Sequence, residues 1–334
     1  MPVGIAHASA EASREARELT VGLGRDLRAR TQAMLGDGER AILSQAQAIR
    51  FSRAHRESLA AYRRLDDLVG RFGAFDTGLD PDRATPERFV TFIGYSRSGH
   101  SLIGSLLDAH PDAVIAHELH ALKHLARRRG FDAVTRALRQ NARIFQLTGR
   151  RYTGYDYVVP GQWQGVTRRL SIVGDKKGNG SARLLRRDPD ALRRILDHVP
   201  VPVHAVHVVR NPYDNIATKA LRTRRSLADA AAIYFANAEK IAELRARDAI
   251  VVHDVHLDDL IDRPREVLGG LVGELGLDTH VPGYFDACAE ILFTRPNRTR
   301  DRVTWPEPLV QQIEGRLAGI SFTQRYAGQS RPGT

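Results

Sequence analysis

Residues 89–111 read FVTFIGYSRSGHSLIGSLLDAHP, and this stretch decides the fold. Phe89 to Ile93 is a short, almost wholly apolar run, the pattern of a strand buried on both faces. Gly94-Tyr95-Ser96-Arg97-Ser98-Gly99-His100-Ser101 follows, a loop with the spacing G-x-x-x-x-G-x-S. Next come apolar residues at helical intervals, from Leu102 to Leu107. The unit is therefore strand, glycine loop, helix. Gly94 and Gly99 allow tight backbone turns, so successive N–H groups can converge on an anion. The start of the helix adds its positive end, and Ser101 adds a hydroxyl.

The pattern recurs outward from there. Ala113–Ala116, Leu170–Val173, Ala205–Val209 and Ile250–Val252 are further apolar strands. Helical material follows each, including Leu227–Leu244 and Pro264–Leu275. Short apolar strands alternating with helices predict an α/β fold with a parallel sheet covered by helices. We divide the chain into a helical extension over 1–75, an α/β domain over 86–328 and a frayed tail over 329–334. The extension has leucine and isoleucine at helical spacing, broken near Gly36-Asp37-Gly38. It is expected to pack on the main domain or to pair two subunits.

The chain has 334 residues and a formal net charge of +11, from 50 Lys and Arg against 39 Asp and Glu. Only five of the basic residues are lysine: Lys123, Lys176, Lys177, Lys219 and Lys240. Arginine suits forked recognition of phosphate and sulfate-like groups. A single cysteine, Cys288, excludes an internal disulfide framework and a cysteine-based zinc knuckle. No apolar run approaches the length of a membrane span, and the first residues lack the pattern of a signal peptide. A reducing, cytoplasmic setting without membrane contact is the expectation. The basic surplus is concentrated in 121–151, where Asp132 is the only acidic residue, and in 207–225.

A nucleoside triphosphatase loop carries G-x-x-x-x-G-K-[ST]. Here His100 replaces the lysine, and the cation sits earlier, at Arg97. No strand-terminal acid of the kind that holds Mg²⁺ is evident, so a metal–triphosphate site is less attractive. A second basic loop, His207-Val208-Val209-Arg210-Asn211-Pro212-Tyr213-Asp214, ends another strand. Pro212 suits a first helical turn, and Arg210 and Thr218, two turns on, can converge on a second anion.

These segments resemble the sulfotransferase family that uses 3′-phosphoadenosine 5′-phosphosulfate (PAPS). Residues 89–111 resemble its 5′-phosphosulfate-binding segment, and VHVVRNPYDNIAT, 206–218, resembles its 3′-phosphate segment, R-N-P-x-D-x-x-x-[ST]. Residues 251–277 resemble the strand, loop and helix that follow. The likeness runs from Phe89 to the C-terminus and leaves 1–75 outside. It implies the P-loop-like sulfotransferase fold, PAPS as donor, adenosine 3′,5′-bisphosphate (PAP) as product, and no metal. It further implies that Tyr95, Ser96, Arg97, Ser98, Gly99, His100 and Ser101 surround the 5′-phosphosulfate, with Arg97 also acting on the reacting group, and that Arg210 and Thr218 hold the 3′-phosphate. Ser96, Arg97 and His100 depart from the residues usual in the family.

Sulfuryl transfer needs a base for the acceptor and cations for the transferring group. Glu118, after the second strand, is the candidate base, with His117 as a fallback. His120 is placed to orient the substrate or Glu118. Glu118-Leu119-His120 resembles the Glu-x-His of the heparan-type branch. Lys176, in LSIVGDKKG, resembles a strand-end lysine of the same branch. Arg298 and Arg300, with Arg302 beside them, lie in a late basic loop expected to cover the 3′-phosphate. The acceptor is expected to be a small molecule or glycan bearing a hydroxyl or amine, with an anionic acceptor suggested by the charge. The candidate acceptor segments are residues 150–163, including Tyr152, Tyr155, Tyr157 and Trp163, residues 178–187, and the N-terminal helices. Two other readings stay open: a Mg-ATP-dependent small-molecule kinase, and a noncatalytic nucleotide or nucleic-acid binder. No nucleic-acid-specific motif is present.

Overall fold

In the computed structural model, residues 37–72, 85–247 and 249–328 are described. The first 36 residues of the extension, its end at 73–75 and the tail 329–334 lie outside them. Three helices come first: α1 (Asp37–Phe51), the single turn α2 (Arg53–Arg56) and α3 (Leu59–Phe72). The α/β unit then runs β1 (Arg88–Ile93), α4 (His100–Asp108), β2 (Ala113–His117), α5 (Ala121–Ala126) and α6 (Phe131–Leu147). A hairpin, β3 (Arg151–Tyr152) and β4 (Tyr155–Asp156), precedes β5 (Ile172–Lys176), α7 (Gly178–Arg187) and α8 (Ala191–Leu196). The remainder is β6 (Val203–Val209), α9 (Pro212–Thr223), α10 (Leu227–Ala246), β7 (Val251–His256), α11 (Leu257–Asp262), α12 (Pro264–Glu274), α13 (Tyr284–Glu290) and α14 (Glu307–Ala318). A short 3₁₀ turn, Thr299–Arg302, lies between α13 and α14.

The five main strands form one parallel sheet in the order β2-β5-β1-β6-β7. Phe89, Val90, Phe92 and Ile93 of β1 are wholly buried, because helices cover both faces of the central strand. Burying each such side chain is worth about 1.5–3 kcal/mol, which is why the apolar runs find the sheet. The third strand differs from the expected Leu170–Val173. It continues through Gly174 and Asp175 to Lys176, which pairs with His117 of β2. Gly174 fits because a Cβ there would lie 2.5 Å from the Val90 carbonyl oxygen.

Two caps fix the helices that start at the carboxyl edge on the β6 side. The Asn211 side chain accepts from the amides of Tyr213 and Asp214, with Pro212 opening α9. Ser226 accepts from the Asp229 amide at the start of α10. Both are the helix-start chemistry expected of these residues.

On the β2 side, α6 packs on the edge strand, and α1 and α3 pack on α6. Tyr62 and Asn141 join them through a 2.8 Å hydrogen bond from Asn141 Nδ2. A buried ion pair anchors the hairpin region. Arg150 Nη1 meets Asp108 Oδ2 at 2.8 Å, with both side chains at most 1 % exposed. Asp108 also accepts from the amides of Ile115 and Gly165, so its charge is fully met. Among the described residues, no helix is long and apolar enough to cross a membrane.

Candidate active site

Parallel strands deliver all their following loops to one edge of the sheet, where α/β folds place their ligands. The strand order therefore sets the sequence of groups along that edge: Glu118 after β2, Lys176 and Lys177 at β5, the 94–99 loop after β1, and Arg210 after β6. A cleft of about 870 Å³ opens there, lined by all of these groups.

The 94–99 loop is held with its carbonyls turned away. The Gly94 oxygen accepts from Asn237 Nδ2 (3.2 Å), that of Ser96 from Asn215 Nδ2 (3.1 Å), and that of Arg97 from Arg210 Nη1 (3.1 Å). Ser98 Oγ donates to the Tyr95 oxygen at 2.9 Å. Among the described residues, no backbone carbonyl takes the amides of 96–101. Gly94, Arg97 and Gly99 have φ of 138°, 71° and 98°, the left-handed turns that gather these amides. The loop thus forms a cradle of amides at the start of α4.

Its side chains divide in their roles. Ser96, Arg97, Gly99, His100 and Ser101 line the cleft, and Arg97 is exposed. Tyr95 and Ser98 do not line it. Tyr95 stacks on Tyr234 at 4.1 Å between ring centres, and the Ser98 hydroxyl is spent inside the turn. The His100 ring nitrogens lie 3.1 Å from Ser98 Oγ and 3.1 Å from the Ile93 oxygen. Burial pushes its pKa down to about 3, so it meets a ligand as a neutral ring and not as a cation. The ring sits in the space left by Gly178, where a Cβ would lie 2.3 Å from its Cε1.

Glu118 stands between two lysines. Lys176 Nζ is 3.0 Å from Oε1 and Lys177 Nζ is 2.7 Å from Oε2. Burial works to raise the carboxyl pKa, but the two ammonium groups outweigh it and hold it well below the usual carboxylate range. Burial lowers the pKa of Lys176, opposed by Glu118. For Lys177 burial is outweighed by Glu118 and Glu57, and the pKa rises.

The turn carrying Glu118 is strained, with φ of 68° at both Glu118 and His120. Left-handed non-glycine residues cost about 1–3 kcal/mol each and persist only where the surroundings enforce them. Asp175 supplies the enforcement. Its two oxygens accept from the amides of Leu119 (3.1 Å) and Ala121 (2.7 Å), and burial raises its own pKa to about 6.

Neither histidine of this turn lines the cleft. His120 is buried against Gly180, and burial lowers its pKa to about 4. His117 stacks on Phe145 at 4.1 Å. The geometry thus brings Glu118 and Lys176 together and leaves His120 and His117 to packing.

At the other end, Arg210 Nη1 donates to Thr218 Oγ1 at 3.1 Å, and Nη2 donates to the Asn297 oxygen (2.7 Å) and Thr299 Oγ1 (3.3 Å). Arg210 and Thr218 do converge, and Thr299 joins them. The late arginines fall differently from expectation. Arg298 pairs with Asp301 at 2.9 Å, and Arg300 pairs with Asp214, also at 2.9 Å; neither lines the cleft, whereas Arg302 does. The basic stretch 121–151 also lies away from it: none of its lysines or arginines lines the cleft.

Sequence reasoning missed Asp175 as the clamp on the Glu118 turn, and it missed Arg53, Arg56 and Glu57 altogether. Arg53 and Arg56 line the cleft, and Glu57 Oε1 is 3.0 Å from Lys177 Nζ. A polar residue following a run of β5 apolar residues was the available signal for Asp175. Nothing local marks the other three.

Residues 90–281 match the model of the sulfotransferase family. Among solved structures, the chain is similar to the sulfotransferase domain of the Synechococcus PCC 7002 olefin synthase, at 20% identity and TM-score 0.38, covering 69% of this chain and 84% of that one. It is similar to a sulfotransferase from Alicyclobacillus acidocaldarius at 16% identity and TM-score 0.40, covering 72% and 95%. It is also similar to the mouse sulfotransferase SULT7A1, solved in complex with PAP, at 12% identity and TM-score 0.40, covering 76% and 92%. No curated protein matches the chain. With the family model spanning more than half of its length, the chain belongs to the sulfotransferase family.

Proposed function

We propose that the protein transfers a sulfuryl group from PAPS to a hydroxyl or amine of a small-molecule or glycan acceptor, with Glu118 as the base. The observation that carries this reading is the order of groups along the sheet edge. The amide cradle lies after β1, with the Glu118–lysine cluster on one side and Arg210, Thr218 and Thr299 on the other. That arrangement offers two anion sites flanking one another and a base beyond the first. The donor supplies an activated sulfuryl group whose leaving group is the bisphosphate PAP.

In this reading the amides of 96–101 and Arg97 hold the 5′-phosphosulfate. Arg210 and Thr218 hold the 3′-phosphate. Arg210 already spends Nη2 on the Asn297 oxygen, so the phosphate takes that position and the 294–298 segment gives way. Glu118 is a weak base while both lysines neutralise it. Lys176 lines the cleft and runs beside α4, its Cγ 2.8 Å from where a Cβ of Gly104 would lie, and in this reading its ammonium turns to anionic groups in the cradle. When Lys176 turns to those groups, Glu118 regains basicity and accepts the proton from the attacking hydroxyl. Lys176 and Arg97 then stabilise charge on the transferring group.

Calorimetry tests the reading. PAP should bind in the presence of a chelator, and ATP with Mg²⁺ should bind more weakly. Tight, strictly Mg²⁺-dependent ATP binding without PAP binding would instead support a kinase.

A further inference from the structure

We infer that the helical extension forms the acceptor wall of the cleft and that Arg53 and Arg56 select an acceptor bearing a carboxylate or sulfate group. The inference rests on the sulfotransferase reading above and concerns residues outside the 90–281 family match.

The sheet gives the argument its direction. β2 lies three strands from β6, or about 14 Å at the usual strand spacing. A donor held between the β1 loop and Arg210 occupies the β6 half of the edge. The β2 half, beyond Glu118, is left for the acceptor, and the extension lies on that side through its packing on α6.

Arg53 and Arg56 of α2 line the cleft there. Arg56 is fixed in place by a 2.8 Å hydrogen bond from Nη1 to the Arg50 oxygen, which caps the end of α1. Among the described residues its Nε is buried with no partner. Arg53 remains mostly exposed, with its Nε 2.9 Å from Glu57 Oε1.

Glu57 joins this wall to the reacting centre. Its side chain is 11 % exposed, and it meets Arg53, Lys177 (3.0 Å) and Lys123 (3.8 Å). Three cations neutralise its charge, so it does not repel an anion. It also carries a continuous chain of ion pairs from the extension through Lys177 to Glu118. Arg53, Arg56 and Lys177 line the cleft beside Glu118, and Asp156 from the hairpin lines it as well. An anionic group on the acceptor is favoured by forked hydrogen bonds from Arg53 and Arg56 and by the local field. It would be anchored while the hydroxyl is presented to Glu118.

The test uses labelled PAPS and acceptors matched except for charge. One pair is 4-hydroxyphenylacetate and 4-hydroxyphenylacetamide. A second is 4-hydroxybenzenesulfonate and its sulfonamide, and a third is glucuronate- and glucose-terminated disaccharides. The unaltered protein should favour the anionic member by ~10-fold or more in kcat/KM. The double variant Arg53→Ala/Arg56→Ala should lose that preference while PAP affinity, read by calorimetry, stays within ~2-fold and reports an intact fold. Arg53→Glu provides a second reading, with preference shifting to the neutral member. Turnover without a charge preference, a preference that survives the double variant, or PAP binding with no turnover of any anionic acceptor would overturn the inference. Failure of the unaltered protein to bind PAP would overturn the donor-site reading first, and this inference with it.

Discussion

Replacing Arg210 with lysine isolates the proposed 3′-phosphate site. The guanidinium is 8 % exposed and makes four contacts, to the Arg97 and Asn297 oxygens and to the hydroxyls of Thr218 and Thr299. Lysine keeps the charge and loses the fork. A hydrogen bond to a charged partner is worth about 1.5–3 kcal/mol, so losing one to the phosphate weakens binding ~10- to 150-fold. The same change loosens the β1 loop through the Arg97 oxygen, and that loss is common to every ligand of the cradle. Comparing PAP with adenosine 5′-monophosphate removes the common part. Calorimetry on both proteins should show PAP affinity falling ~10- to 150-fold more than that of the monophosphate. Equal losses for the two nucleotides would refute the assignment of Arg210 to the 3′-phosphate.

Glu118→Gln should cut turnover ~10²- to 10⁴-fold, as loss of a general base does, with PAP affinity retained; unchanged turnover would remove Glu118 as the base. The depressed pKa of Glu118 also has a sign for stability. Its ionised form is favoured by folding, so that contribution is complete above the unfolded carboxylate value and is lost as pH falls through the folded one. Thermal melts should therefore show the stability gap between unaltered protein and Glu118→Gln narrowing as pH drops below ~4.5, the ordinary glutamate range. Gly178→Ala forces its Cβ onto the His100 ring and should destabilise by about 1–3 kcal/mol. Adding His100→Ser should restore most of that loss in a double-mutant cycle, and additive effects would deny the contact. Asp108→Ala leaves Arg150 as an unpaired buried charge and should cost about 3–5 kcal/mol in denaturant unfolding.

The parts that were legible are those whose cause is local. The apolar run of β1, the two glycines after it and the periodic apolar residues of α4 each carry their own instruction, and the strand–loop–helix followed from them. Pro212 likewise announced α9. The third strand is expected too early, over Leu170–Val173, because the apolar run ends at Val173 while the strand continues through Gly174 and Asp175 to Lys176. Asp175 stays in the strand because its carboxylate has two amides to meet across the sheet, at Leu119 and Ala121. The β3–β4 hairpin was passed over as an irregular loop. Thr153 and Gly154, at φ of 52° and 87°, are the two left-handed residues that such a tight turn needs.

His100 shows the limit of motif reasoning. Its position within the loop marked it as a residue around the ligand, and it does line the cleft, but nothing in the loop announced that its ring would be buried and neutral in the volume left by Gly178, distant in sequence. Glu57 shows the same limit more sharply. It reaches Lys177 only because α1 and α3 pack on α6, and no pattern around Glu57 encodes that docking. The charge count misled in one respect. Basic residues crowd 121–151, yet the cations that line the cleft come from scattered places, among them Arg53, Arg97, Arg183 and Arg302.

Labelled sulfuryl transfer tests the central claim most directly. The protein is incubated with [³⁵S]PAPS in the presence of EDTA and a panel of hydroxyl and amine acceptors, with [γ-³²P]ATP and Mg²⁺ run in parallel. The account expects ³⁵S in an acceptor and stoichiometric PAP without metal, with no transfer of ³²P. Transfer of ³²P that requires Mg²⁺, with ³⁵S remaining in PAPS, would contradict it.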